Sequence, residues 1–293
     1  MNKKIFITYA DDKFKKQKEF ALKMAKSRGK FDEIIGYSRS DIDAKFYEEN
    51  KHILDQKRGG GYWLWKPYFI VKTLETMNNG DYLFYSDAGA FFLQSVDVLI
   101  KELEKYNQDI MGFELPLIEK QWTKRELFIN MDCDEEKYSE SNQIFASYML
   151  IRKTEFSVNF FNLYLNYGCN EINITDKYDN QIAQDKDFMD HRHDQSIFSL
   201  LYKRYKLKVF KDPSQYGKYP YKYSGVSKID FLSNKTYSLS NGRKLRINLH
   251  NSDYDVLIFH NRKGNPILSF IKFSIYNNFP IFNKLYYFLK RIR

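Results

Sequence analysis

The chain has 293 residues, enough for one large domain with a sizeable core, and a formal charge of +10 that directs attention to anionic partners: nucleotide diphosphates, acidic lipid head groups or nucleic acid. Its two cysteines, Cys133 and Cys169, lie far apart without metal-ligand spacing, and no secretory leader is read ahead of the first apolar run. A disulfide-stapled domain is excluded on that reading, and a reducing cytoplasmic setting is expected.

Aromatic residues make up 18% of the chain, and many of the tyrosines fall in polar stretches, which suits stacking on sugars or bases as well as core packing. High usage of Lys, Asn, Ile and Tyr is equally what an AT-rich genome produces. Ile5–Ala10 is a short apolar run followed by a charged helical pattern from Phe14 to Arg28, in which Phe14, Ala21, Leu22 and Ala25 form the buried stripe and Gly29 ends the helix. Glu33–Ser38 reads as a second strand, so the chain opens β-α-β with parallel pairing. Thr8, Tyr9 and Ala10 then fall at the carboxyl edge of the sheet, where ligands bind in open α/β folds. Neither a Gly-x-Gly-x-x-Gly after that strand nor a P-loop is present, which removes the usual warrant for dinucleotide or P-loop binding.

Asp41–Lys57 is polar and leads into Arg58-Gly59-Gly60-Gly61-Tyr62-Trp63-Leu64-Trp65-Lys66-Pro67. Three glycines leave a loop free to adopt positive φ or to let a ligand approach the backbone, and Pro67 suits the first turn of a helix Pro67–Met77. Lys66 sits just ahead of that anion-attracting terminus; the alternative is a hinge under aromatic cover. Tyr82–Tyr85 is a continuous apolar run bounded by Gly80-Asp81 and Ser86-Asp87, which predicts a strand buried on both faces. Asp87, followed by Ala88 and Gly89, is placed to hold a cation beside a bound phosphate, or to form a plain strand-ending turn.

Ser95–Tyr106 reads as a helix, and Asp109–Leu115 as a strand closed by Pro116. A helix from Gln121 has Thr123 as N-cap with Glu126 three residues on, while Trp122 is either core or a sugar-stacking platform. Gln143–Arg152 is a further strand, Glu155–Tyr167 a helix, and the Asn- and Asp-rich stretch Asn170–Gln184 an expected mobile loop. Asp190 opens a helix in which positions 190, 193, 194, 197, 198 and 201 form one stripe. His193 and Asp194 therefore share a face with Ile197, Phe198 and Leu201, and must be hydrogen-bonded, serve a ligand, or compensate the helix terminus. Tyr216, Tyr219, Tyr221 and Tyr223, interleaved with Lys218 and Lys222, either touch an acceptor glycan or lipid phosphate or form a solvated loop. Asp255–Lys263 is a last strand ending in His260-Asn-Arg-Lys. The tail Ile267–Arg293 alternates aromatic and basic residues; its longest uncharged stretch is below the ~18 residues a membrane span needs, so it reads as an interfacial segment on an anionic leaflet or as packing on the domain.

The motifs at 59–67 (Gly-Gly-Gly-Tyr-Trp-Leu-Trp-Lys-Pro), 80–89 (Gly-Asp-Tyr-Leu-Phe-Tyr-Ser-Asp-Ala-Gly) and 191–196 (His-Arg-His-Asp-Gln-Ser), in that order, resemble a family of bacterial GT-A-fold glycosyltransferases from surface-polysaccharide (capsule and O-antigen) gene clusters. The resemblance covers roughly residues 3–262. It implies a GT-A-like, Rossmann-like α/β fold, a mixed and mostly parallel sheet flanked by helices. Residues 1–265 would form that domain and 266–293 a basic aromatic extension. It also implies a nucleotide-sugar donor, UDP-linked in the simplest case, a lipid-linked saccharide acceptor, and a peripheral position on the inner face of the cell membrane. A divalent cation, Mn²⁺ or Mg²⁺, is implied too, but the usual Asp-x-Asp metal motif is broken because its second acid is Gly89. Asp87 would need a ligand from elsewhere, and many GT-A enzymes use a late histidine, which points to His260. On this reading Asp194 and His193 are the catalytic candidates, with Asp194 as general base in an inverting transfer. Thr8, Tyr9, Lys66, Ser86, Asp87, Arg192 and Gln195 would contact the donor. Two rivals stand beside it: a non-catalytic carbohydrate-binding or scaffold protein, which would not need His193 and Asp194 on a buried stripe, and a nucleic-acid-binding protein, for which no recognised module is present, so that nucleic acid is not an expected partner.

Overall fold

The run Lys4–Tyr9 forms β1 and pairs in parallel with both Glu33–Tyr37 (β2) and Tyr82–Ser86 (β3), as the β-α-β opening predicts. These strands belong to a computed structural model that describes residues 2–223, 235–248, 250–261, 264–269 and 271. After β3 comes the short strand Ala90–Phe92 (β4), then Ile110–Ile118 (β5), Asn142–Arg152 (β6), Val209–Phe210 (β7), Lys235–Ser238 (β8), Lys244–Ile247 (β9) and Ile258–His260 (β10). The main sheet runs β2-β1-β3-β6-β5-β9-β8, with β7 also on β5, and β4 pairs separately with β10. Antiparallel β6 is inserted between β3 and β5, so β2, β1, β3, β5 and β7 all point one way: a mixed, mostly parallel sheet.

Strand alternation divides the core into two layers. Ile5, Ile7, Tyr9, Leu83 and Tyr85 face the helices Ala44–Leu54, Trp65–Thr76, Glu155–Gly168 and Asp194–Arg204, here α2, α3, α5 and α6. Phe6, Tyr82 and Phe84 face Lys15–Met24 and Asp97–Lys105, α1 and α4, through a cluster of rings that includes Phe31 and Phe92. Both faces of β3 are covered, which is why its sequence shows no alternation.

Several local expectations are corrected. Phe14 lies in a 3-10 turn ahead of α1 and is 38% exposed; the buried stripe is Ala21, Met24 and Ala25. Pro116 does not close β5 but sits inside it, tolerated because the pairing with β6 shifts register between Glu114 and Ile118. Thr123 is not an N-cap: its hydroxyl bonds Glu119 and Ser196 in the core, and the helix Arg125–Asn130 starts after Lys124. The stretch Asn170–Gln184 is a loop after its first turn, and that loop is tied to the domain. Glu171–Ile174 is a helical turn, and the buried Lys124 ammonium donates to the carbonyls of Thr175 and Lys177, both at 2.7 Å. Helix α6 begins at Asp194 rather than Asp190, because His193 takes φ 52° and breaks the helical path. Most of the tail 267–293, Tyr221 and Lys222 as side chains, and Arg262 and Lys263 lie outside the described residues. Among those described, no helix is long and apolar enough to cross a membrane.

Candidate active site

Three chain segments converge where β1 and β3 end. The first is Tyr9–Asp11, continuing from β1. The second is the glycine-rich stretch before α3, which runs through five consecutive residues of positive φ: Gly59 (60°), Gly60 (59°), Gly61 (100°), Tyr62 (50°) and Trp63 (60°). Such a left-handed turn opposes the normal handedness of L-residues, and the glycines carry the part that side chains tolerate least. At Gly61 a Cβ would lie 2.7 Å from the Leu54 backbone, so the residue is fixed twice, by conformation and by contact. The turn reverses the chain, with Tyr62 N–H donating to Arg58 O at 2.7 Å, and aims Trp63, Trp65 and Lys66 at the sheet edge. Tyr9 stacks on Trp65 with ring centroids 3.9 Å apart.

The third segment is the turn after β3, Asp87-Ala88-Gly89, closed by Ala90 N–H to Asp87 O at 3.0 Å. Asp87 N–H also donates to Ser147 O at 2.7 Å, which extends the β3–β6 pairing by one residue and holds the carboxylate at the edge. Beyond the turn β4 pairs antiparallel with β10, Ala90 opposite His260, which brings that histidine to this edge. With the start of α6, these elements line a cavity of about 470 Å³.

Its floor is a buried charge constellation. Lys66 Nζ lies 2.6 Å from Asp194 Oδ2 and 3.4 Å from Asp87 Oδ1, and donates to Ala146 O at 3.0 Å. The Tyr85 hydroxyl donates to Asp87 Oδ1 at 2.5 Å and the Tyr164 hydroxyl to Asp194 Oδ2 at 3.3 Å. Burial pushes the Asp194 carboxyl up to about 6, with the Lys66 ammonium pulling in the other direction. For Lys66, burial works to lower the ammonium but the Asp194 and Asp87 carboxylates outweigh it, so it stays charged. A carboxylate that titrates near neutrality, held by two donors and facing a cavity, is equipped to accept a proton.

His193 takes a different position from its neighbour. Its Nδ1 meets Ile174 O at 2.8 Å and its ring stacks against Trp63, while burial pushes it down to about 4, so it is neutral at physiological pH and holds the glycine-turn aromatics in place. Gln195 lines the cavity, with its amide bonded to Gln143 at 2.8 Å. Arg192 lines it too, 3.3 Å from Asp190 and over the Trp122 ring; Trp122 is core beneath that arginine, 5% exposed. Thr8 and Ser86 do not reach the cavity: strand alternation turns both to the opposite face with Phe6 and Phe84, and the Ser86 hydroxyl bonds Asp87 O instead. Arg58, which the sequence reading passed over, lines the mouth, anchored to Asp176 at 3.0 Å and Asp190 at 3.1 Å.

Of the residues named for a divalent cation, two come to the same place. Asp87, with its side chain 26% exposed, and His260 line the same cavity, and Asp87 Oδ1 is already engaged by Tyr85 and Lys66. Among the described residues no group of three or more His, Cys, Asp or Glu stands ready to hold an ion, so phosphate oxygens of a ligand would have to complete the coordination.

Fold and site together define a mixed α/β protein with a cationic, aromatic cavity at the carboxyl edge of its sheet. No family model matches the chain, and no curated protein matches it in sequence. Solved structures with similar overall shape include mouse xyloside xylosyltransferase 1 (12% identity, 90% of this chain and 99% of that one, TM-score 0.47). Others are the galactosyltransferase LgtC, solved with donor and acceptor sugar analogues (13%, 88% and 87%, 0.44), and the glycosyltransferase GlyE of Streptococcus pneumoniae (14%, 88% and 54%, 0.41). At these identities no residue's role carries over from them.

Proposed function

We propose that the chain is a GT-A-like glycosyltransferase that moves a hexose-type sugar from a nucleoside diphosphate, UDP in the first instance, to a lipid-linked saccharide in surface-polysaccharide assembly at the inner membrane face. The observation that carries this reading is the buried Lys66–Asp87–Asp194 constellation on the floor of an aromatic cavity at the end of β1 and β3. A scaffold or lectin gains little from burying the Lys66–Asp194 pair with a second carboxylate at its edge, since desolvating such a pair is expensive; a transferase needs fixed charge where a diphosphate departs and a base where a hydroxyl attacks.

In this reading the nucleoside lies against the Tyr9–Trp65 edge and the diphosphate reaches Lys66, whose ammonium offsets the negative charge that develops as the bond from the anomeric carbon to the diphosphate oxygen breaks. The electron pair of that bond leaves with the diphosphate. In an inverting transfer Asp194 takes the proton of the acceptor hydroxyl as its oxygen bonds the anomeric carbon; in a retaining one it only positions the substrates, and the anomer of the product tells the two apart. Tyr164 and Lys66 keep the Asp194 carboxylate oriented, and Tyr85 does the same for Asp87. A cation shared by Asp87, His260 and the donor would add charge neutralisation at the diphosphate. The test is a panel of nucleotide sugars with and without Mn²⁺ or Mg²⁺, scored for binding and slow donor hydrolysis. One donor turned over above the rest supports the reading, and no binding of any donor or free nucleoside diphosphate overturns it.

A further inference from the structure

Beside the first cavity lies a second, of about 270 Å³, that shares Arg192, Gln195 and His260 with it and adds Tyr216, Tyr223 and Arg243. Arg243 is the unusual member. It stands at the tip of the β8–β9 hairpin, where the buried Gln121 amide grips the backbone on both sides of it: Gln121 Nε2 donates to Gly242 O at 2.9 Å, and Lys244 N–H donates to Gln121 Oε1 at 2.7 Å. Its guanidinium lies over the Trp122 ring at 5.5 Å, on the same indole that carries Arg192 at 4.3 Å. The two cations are not balanced alike. Arg192 has Asp190 at 3.3 Å, and Arg58 at the cavity mouth has two carboxylates, whereas among the described residues no acid pairs with Arg243 and its buried Nε has no hydrogen-bond partner. Burial alone moves its titration, downward, with no carboxylate opposing it. A half-buried guanidinium stacked on an indole beside a second cation, with no carboxylate of its own among the described residues, is equipped to pair with an anion.

We propose that this second cavity is an acceptor subsite for a sugar that carries an anionic group, a carboxylate or a phosphate, with Arg243 as its bidentate ligand and the tyrosines as walls for the ring. The proposal rests on the transferase reading for the word acceptor, and on the cavity alone for the anion. Arg192, Gln195 and His260 line both cavities, so a sugar held in the second lies beside the first, which Asp194 lines.

The test titrates the full chain, with UDP saturating the first cavity, against three probes: methyl glucuronide, glucose 6-phosphate and neutral methyl glucoside. Wild type should bind at least one anionic sugar about tenfold or more tighter than the neutral one, the worth of a charge-assisted pair. Arg243→Gln should erase that preference and leave UDP affinity unchanged, while Arg243→Lys, a point charge without the fork, should retain more of the phosphate preference than of the carboxylate one. Which anionic probe wins assigns the source of the charge. Equal binding of neutral and anionic sugars by wild type overturns the proposal even if Arg243→Gln fails to fold, and so does a preference that survives that substitution. An anion preference that vanishes with Arg243→Gln in a protein that binds no nucleotide at all would sink the transferase reading and leave the anion subsite standing.

Discussion

Replacing Lys66 by methionine strips the cation from the buried constellation and leaves its two carboxylates facing each other. In the wild type, burial lifts the Asp194 carboxyl from its ordinary 3.8 to about 6 even with the ammonium 2.6 Å away. Because the base form is the carboxylate, turnover should fall as pH drops below about 6. The same shift is a stability term of known sign: the folded state holds the proton more tightly, so its contribution is present below pH 3.8 and is lost as pH rises through about 6. Without Lys66 the buried Asp194 carboxyl must ionise with no ammonium beside it. Removing one partner of a buried pair costs ~3–5 kcal/mol, which moves the acid limb upward by about two pH units or more. The assay is kcat against pH for wild type and Lys66→Met, with thermal melts across the same range. Lys66→Met should be nearly silent at neutral pH and recover part of its turnover in alkali. An acid limb that stays near pH 6 in an active variant would refute Asp194 as the titrating base.

Asp87→Asn keeps the Tyr85 contact in shape but removes the charge; it should lose most turnover with little change in melting temperature, and any strengthening of UDP binding by Mn²⁺ should disappear with it, as read by calorimetry. Lys124 is buried with carbonyl oxygens as its acceptors, and burial pushes it down to about 8, so the unfolded chain binds the extra proton between there and 10.5; wild-type stability should gain from that group as pH rises across the window, and Lys124→Met melts should lack the gain. Truncation before Ile267 should spare activity on a soluble acceptor and reduce it on a lipid-linked one. The full-length chain should sediment with anionic vesicles in a salt-sensitive way, each basic residue contributing about 1 kcal/mol near the surface, and equal sedimentation of the truncated protein would end the membrane reading.

What the sequence made legible was local. The β-α-β opening, doubly buried β3 and the positive-φ glycines follow from runs and turn residues, and the stripe in α6 placed Asp194 inward with Ile197, Phe198 and Leu201. Lys66 and Asp87 stand out one at a time, but nothing in their spacing foretells that they meet Asp194 around one ammonium, because Asp194 enters from α6, beyond β5, β6 and α5. The tyrosine hydroxyls that hold the two acids are invisible for the same reason: Tyr85 lies in an apolar run and Tyr164 within a helix, and the rings of both are core. Thr8 and Ser86 were misplaced by proximity to the edge, where the alternation of the strand decides, and Asp190 by a helix start that His193 moves four residues on.

The most direct test of the central claim is a crystal structure of the full chain with UDP and Mn²⁺, the metal located by its anomalous signal. The expected structure has the uracil against Tyr9 and Trp65, the diphosphate within hydrogen-bond reach of Lys66, and manganese beside Asp87, His260 and the phosphate oxygens. Nucleotide bound away from the ends of β1 and β3, with the Lys66–Asp194 pair untouched, would contradict it.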